Sequence, residues 1–333
     1  MPSNAKTTRR RAAVLAAGAL LAWGCSPARA DEARYPDKPV NLVVSFAPGG
    51  ATDLIGRIIA TELSQRLGQS FVVTNKPGAA GQLGTEYVAA QKGDGYTLLI
   101  SATGHVMAPS LQAANLRYDP VKSFEPIALL MTMPNVLVTQ GSGPYKRFQD
   151  FLPWAKAQAS VPYGSAGAGG ATHISGEVAR RLTGIPFAHV AYKGNGPSMT
   201  DVMAGHIPSA FVDTVSLGDM VRSGKLNAIA VTSKQRSKLY GQVPTFEELG
   251  YAGMDLNNWV GLYAPAGTPK PVVRLLNQQV MEILNTPKTR ERLEGLGADV
   301  PAHMDADGFR AFVGSEVAKW QQVIRQTGVT LNE

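Results

Sequence analysis

Apolar and polar positions along this chain fall into a recurring order: a short apolar run, a small-residue loop, then an amphipathic stripe. Residues 40–46 are rich in β-branched and aromatic side chains and lie between Pro39 and Pro48, which predicts a strand. After the loop Ala47-Pro48-Gly49-Gly50, the apolar residues Leu54, Ile55, Ile58, Ile59, Leu63 and Leu67 recur at helical spacing, with Asp53 as the expected N-cap. The order repeats with a strand over 71–75, a loop over 76–81 and a short helix over 85–91. The Asp94-Gly95 turn then leads to a strand over 96–100, followed directly by a loop at 101–105. An apolar run over 127–139 is interrupted at Met133-Pro134, where a crossing into a second domain is expected. Beyond it the pattern predicts a helix over 148–158, a strand through 161–163, the glycine loop 164–172 and a helix over 173–182 stopped by Gly184. Strands over 187–192, 207–213 and 226–232 alternate with helices starting near Pro197 and over 217–222. Thr245-Phe246-Glu247-Glu248 has capping-box spacing for a short helix ending at Gly250. A return strand over 256–263 and helices over 270–285, 288–296 and 308–326 complete the chain.

Strands alternating with helical stripes predict an α/β fold built of βαβ units on a mainly parallel sheet. In such sheets, ligands bind beyond the carboxyl ends of the strands, where the small-residue loops fall. Two of these loops, 47–53 and 164–172, are strand–glycine–helix junctions. The first N–H groups of a helix lack internal partners and carry the positive end of the helix dipole, and glycine lets a ligand approach that main chain closely. Each junction is therefore a candidate anion pocket. Neither loop contains Lys or Arg, which favours a carboxylate over a highly charged phosphate.

The chain has 333 residues, 44% of them hydrophobic and 17% charged, a globular composition long enough for two cores. Its net charge of +7 is concentrated in the first 30 residues, where Lys6, Arg9, Arg10, Arg11 and Arg29 face no acid. The remainder carries 27 basic and 25 acidic residues, or +2, with no basic run of the kind nucleic-acid binding needs. A basic start, the apolar run 12–23 and Ala28-Arg29-Ala30 before Asp31 make residues 1–30 a secretory signal peptide and place the mature protein in the periplasm. Thr8-Arg9-Arg10-Arg11 leaves the twin-arginine route open beside the general one. Cys25 is the sole cysteine, and Trp23 before Gly24 fits a lipidation site poorly. Cleavage after Ala30 leaves no cysteine for disulfides or thiol chemistry.

The remaining motifs point away from catalysis and cofactors. Gly167-Ala168-Gly169 would need a third glycine where Thr172 stands, so the dinucleotide fingerprint fails, and no Gly-Lys-Ser/Thr phosphate loop is present. His173 and Glu177 have the spacing of two metal ligands but lack a third, so no metal is assigned. Gly-x-Ser-x-Gly is absent, and no histidine and acid are tied by spacing to Ser45, Ser101 or Ser165. His105 is read equally as a ligand contact or a structural hydrogen bond. Asp213 either faces the cleft or caps the following helix. Lys193, between Tyr192 and Gly194, is read as solvated.

Jointly, several motifs resemble one family. They are 35–40 (Tyr-Pro-Asp-Lys-Pro-Val), 46–53 (Phe-Ala-Pro-Gly-Gly-Ala-Thr-Asp), 75–81 (Asn-Lys-Pro-Gly-Ala-Ala-Gly), 163–167 (Tyr-Gly-Ser-Ala-Gly), 192–197 (Tyr-Lys-Gly-Asn-Gly-Pro) and 243–245 (Val-Pro-Thr). Trp259, Gly261 and 264–269 (Ala-Pro-Ala-Gly-Thr-Pro) complete the set. The mature chain thus resembles the extracytoplasmic receptors of the tripartite tricarboxylate transporters, the Bug family of periplasmic solute-binding proteins. The resemblance implies a type II periplasmic binding fold: two α/β lobes joined by a hinge, with the ligand cleft between them. The expected lobes are 31–132 plus 257–333, and 133–256. It further implies a monomeric receptor without enzymatic activity that passes a small carboxylate to a two-component membrane permease. The expected ligand-binding residues are Ala47, Pro48, Gly49, Gly50, Ala51, Thr52 and Asp53 in the first loop and Ser101, Thr103 and His105 after the third strand. In the second lobe they are Ser165, Ala166, Gly167, Gly169, Gly170, Thr172 and Asp213. Departures from the family pattern at 101–110 and 169–171 bear on ligand shape and leave the carboxylate unnamed. The competing reading is an exported α/β hydrolase acting on carboxylated substrates.

Overall fold

One strand, β4 (Phe124–Gln140), runs the length of the sheet and determines how the rest is arranged. It is seen in a computed structural model that describes residues 35–111 and 116–329. The expected signal peptide and Cys25 lie outside the described residues. From Lys38 onward the described residues form one unit. β4 continues through Met133-Pro134, because Pro134 sits where a missing N–H costs little. It makes the last pair with β9 (Asn257–Pro265), and from Asn135 onward β4 pairs instead with β7 (Ser209–Asp213) and β8 (Leu226–Val231). Pro126 likewise falls at a register shift in the β4–β9 ladder.

On the first half of β4, the order runs outward through β9 to β3 (Thr97–Ala102), β1 (Val40–Val44) and β2 (Phe71–Asn75). On the second half, β7 leads to β5 (Val161–Ser165) and β6 (Phe187–Ala191). The sheet is mixed rather than mainly parallel. Pairs β1–β2, β1–β3, β5–β6 and β5–β7 are parallel, whereas every antiparallel pair involves β4 or β9. The βαβ units were legible from the alternation of elements, but no helix separates β8 from β9, which enters antiparallel between β3 and β4.

Helices cover the sheet through the stripes expected of them. In α1 (Ala51–Leu67), Ile55, Ile58, Ile59 and Leu63 are buried, and Gly68 ends the helix at a left-handed φ of 71°. A short 3-10 turn (Ala79–Gly81) precedes α2 (Gln82–Ala89). The expected loop at 101–105 is instead the end of β3 and the start of α3 (Gly104–Leu111), with Thr103 alone between them. In the second half, α4 (Phe148–Lys156), α5 (Ala171–Thr183) and α6 (Asn195–Ala204) alternate with strands. The helix expected near 217–222 is α7 (Thr214–Leu217), moved forward because the Asp213 side chain caps it by accepting from Ser216 N. Thr245 and Glu248 form the reciprocal capping box, each main-chain N–H bonded to the other's side chain. Gly250, at φ 91°, then ends the segment after a single turn.

The tail returns to the first half as α8 (Lys270–Asn285), α9 (Pro287–Glu294) and α10 (Ala306–Thr327). Helix α10 packs on α3 and β4. Its buried Glu316 accepts from two indoles, Trp259 at 2.8 Å and Trp320 at 2.9 Å.

Candidate functional site

Two loops of the same local design line one cavity. β1 leads through residues 45–50 into α1, and β5 leads through 166–170 into α5. In each, a left-handed glycine (Gly49 at φ 88°, Gly169 at φ 77°) precedes an extended glycine at the N-cap. Gly50 has φ −84° and ψ 174°, and Gly170 has φ −82° and ψ 166°. Both helices then open with Ala-Thr. Only glycine takes the first conformation without steric cost. Neither cap glycine has a side chain to satisfy the first N–H groups of its helix, so those donors and the dipole behind them are available to an anion.

The third helical residue of each junction folds back onto the left-handed glycine. Asp53 Oδ2 accepts from Gly49 N at 3.0 Å, and His173 Nδ1 accepts from Gly169 N at 3.0 Å. This corrects the expectation that Asp53 is the N-cap. Gly50 holds that position, and Asp53 stabilises the loop from inside the first turn. For the same reason α5 begins at Ala171, two residues before its expected start.

The two junctions differ in charge. Burial works to raise the Asp53 carboxyl, but hydrogen bonds from Arg57, Gly49 N and Asn75 outweigh it and hold the group below the usual range. The ionised Asp53 is paired with Arg57 at 2.9 Å. His173 is neutral, pushed down to about 4 by burial. Its Nδ1 is an acceptor, so the ring proton is assigned to Nε2. The ring stacks on His189, with centroids 3.8 Å apart and planes at 22°. His189 is also pushed down to about 4, first by burial and then by its neighbour His173.

The cavity has a volume of about 1310 Å³. Of the sequence-derived site residues, 47–52, Ala166, Gly167, Gly170, Thr172 and Asp213 line it. Asp53, Ser101, Thr103, His105, Ser165 and Gly169 do not, and their bonds account for them. Ser101 Oγ accepts from Ser45 Oγ at 3.0 Å, beneath the first loop. Thr103 Oγ1 donates to Asn258 Oδ1 at 2.7 Å and accepts from Trp259 N at 2.9 Å, tying β3 to β9. His105, carried inward by the first turn of α3, stacks on Tyr118 and Tyr263 and meets the edge of Phe124. Its Nε2 lies 3.0 Å from Pro120 O, and burial pushes it down to about 4, so the structural reading of His105 prevails.

Several lining residues were missed. The loop 77–81 lines the cavity, and within it Ala79 and Ala80 hold left-handed φ values of 47° and 51°, uncommon for non-glycine residues. The loop 192–197 also lines it. Both follow predicted strands, so the strand-end rule applied evenly would have found them. His189 sits on β6 and Asn258 on β9, and no local pattern marks either one as lining.

The lining of the cavity is largely neutral. Lys193 is the single Lys or Arg among the lining residues, and Asp213 the single acid. Ser165 Oγ lies 2.6 Å from His189 Nε2, the spacing of a nucleophile and its base. Ser165, however, is fully buried, and its Oγ accepts from Gly167 N at 3.2 Å. No carboxylate is bonded to His189 among the described residues. Glu177, at metal-ligand spacing from His173, accepts from Tyr163 Oη at 2.9 Å and Arg180 Nε at 2.9 Å. Among the described residues, no three His, Cys, Asp or Glu side chains are grouped to hold a metal ion.

A family model described as "Tripartite tricarboxylate transporter family receptor" matches residues 55–329. Protein BugT of Bordetella pertussis is 32% identical over 308 residues, spanning 92% of this chain and 94% of its own. A Rhodopseudomonas palustris protein solved with adipate is 31% identical with a TM-score of 0.84, over 89% of this chain and 100% of its own. MatC of the same organism, solved with bound malate, is 32% identical with a TM-score of 0.81, over 87% and 100%. Two like junctions on one cavity, the mixed α/β sheet and matches spanning nearly the whole chain lead to one assignment: the protein belongs to the tripartite tricarboxylate transporter receptor family and has its periplasmic binding fold.

Proposed function

We propose that this protein is a monomeric periplasmic receptor that captures a small di- or tricarboxylate and delivers it unchanged to a two-component membrane permease. The observation that carries this reading is the pair of helix N-termini, capped by Gly50 and Gly170, that line one cavity with a largely uncharged wall around them. Adipate and malate in the two similar structures support a carboxylate as the ligand class. The two lobes are 31–132 plus 257–333, and 133–256. The change of partners on β4 between Pro134 and Asn135 supports this division, since the hinge would lie there. Ligand binding is assigned to the two glycine loops, with Asp53, Ser101, Thr103, His105, Ser165 and Gly169 acting through the residues they hold.

A thermal-shift screen against aliphatic and aromatic mono-, di- and tricarboxylates tests the proposal. A ligand at 100 times its Kd should stabilise the fold by about 2.7 kcal/mol. The Ser165–His189 pair makes an exported hydrolase the second reading, so each hit is also assayed for product. A receptor returns the ligand unchanged, and turnover would reject the receptor reading.

A further inference from the structure

Asp213 places a carboxylate in a cavity read as a carboxylate site. It ends β7, is 4% exposed and is the one acid among the lining residues. Its Oδ1 accepts from Ser216 N at 2.7 Å and its Oδ2 from Asn195 Nδ2 at 2.5 Å. No cation pairs with it among the described residues. Asn195, also on the cavity wall, donates to Ser216 Oγ at 3.1 Å, while its own Oδ1 is buried without a partner. Capping α7 explains the bond from Ser216 N. It does not explain an uncompensated acid beside an amide oxygen with nothing to accept.

This corner holds more acceptors than donors. The Asp213 carboxylate also accepts from the Ser216 side chain and from its own backbone N–H, and the acceptor left without a donor is Asn195 Oδ1. A bare ligand carboxylate entering here would meet like charge, whereas an N–H or O–H group would supply the missing donor. The anion-binding main chain belongs to other segments, at the starts of α1 and α5, so both demands fit one ligand. We propose that Asp213 and Asn195 form an acceptor subsite selecting carboxylates that bear a donor, a hydroxyl or an ammonium group, over unsubstituted ones. This inference rests on the carboxylate reading above. Burial without a counter-charge pushes the Asp213 carboxyl up, and a ligand ammonium would act in the opposite direction.

Calorimetry on the mature chain with three matched sets tests the inference: succinate, malate and aspartate; glutarate, 2-hydroxyglutarate and glutamate; adipate, 2-hydroxyadipate and 2-aminoadipate. In the length class that binds, a donor-bearing member should bind about tenfold or more tightly than the unsubstituted diacid, the scale of a hydrogen bond to a charged group. Asp213→Asn keeps a capping oxygen for Ser216 N and removes the charge. It should weaken an ammonium ligand by about tenfold, weaken a hydroxyl ligand only a few-fold, and strengthen the unsubstituted diacid. The first two effects separate hydroxyl from ammonium recognition. An unsubstituted diacid that binds wild type as tightly as its partners overturns the inference and leaves the carboxylate reading standing. Failure of all nine compounds to bind overturns the dicarboxylate reading and the inference with it.

Discussion

Asp53 and His173 hold the same position in two like loops, and their chemistry makes the two ends of the cavity unequal. Asp53 sets an ionised carboxylate behind the first helix start and needs Arg57 to balance it. His173 does the same structural work while neutral, so the second loop adds no negative charge. His105 shows what residue-level reading could not reach: its aromatic enclosure comes from Tyr118, Phe124 and Tyr263, which the sheet brings together. That enclosure has a measurable consequence. His105 titrates near 4 in the folded state, against 6.5 when unfolded. Between these values the unfolded chain binds a proton that the folded chain does not. Stability from this group is therefore complete above 6.5 and is lost as pH falls towards 4, on the order of 3 kcal/mol in full. His173 and His189 act in the same direction. Urea unfolding at pH 7 and pH 4.5 should reveal a drop that His105→Phe makes smaller, whatever that variant does to stability at pH 7. A drop of unchanged size would assign the acid sensitivity to other groups.

At the level of elements, what could be read from the chain was local chemistry. The two junctions were legible because an apolar run, paired glycines and a helical stripe follow one another within about twenty residues, and the Thr245–Glu248 box because its spacing is short. What could not be read depended on distant pairing. Met133-Pro134 was legible as a point of change, but nothing nearby indicates that β4 runs on through it and exchanges β9 for β7 and β8. Ser101, Thr103 and His105 looked like cleft residues, since α3 beginning at Gly104 leaves no loop between strand and helix. The junctions give a prediction about what holds the ligand. Gly50 has a φ of −84°, close to what proline allows, so Gly50→Pro removes a main-chain donor with little distortion of that angle. Calorimetry should find that Gly50→Pro weakens carboxylate binding by about tenfold, the scale of one charge-assisted hydrogen bond, and that Lys193→Ala weakens it less. The reverse order would transfer recognition from main chain to a side-chain charge.

At the scale of the whole molecule, the expected leader and the proposed hinge bear on the proposed function. Intact-mass analysis of periplasmic material should give a mature chain beginning at Asp31, and a diacylated species beginning at Cys25 would assign the lipoprotein route instead. The receptor account makes its strongest demand on the two junctions acting together. Each helix start favours a negative charge by roughly 0.3–1 kcal/mol when exposed and up to about 2 kcal/mol when partly buried. Contacts made only when both junctions engage one ligand would shift the protein towards a closed state, because an equilibrium moves only through differential affinity. The most direct test pairs calorimetry with small-angle scattering on one diacid and its monoamide, chosen from the screen. The diacid should bind more tightly and reduce the radius of gyration more than the monoamide does. Equal affinity with equal compaction would contradict it.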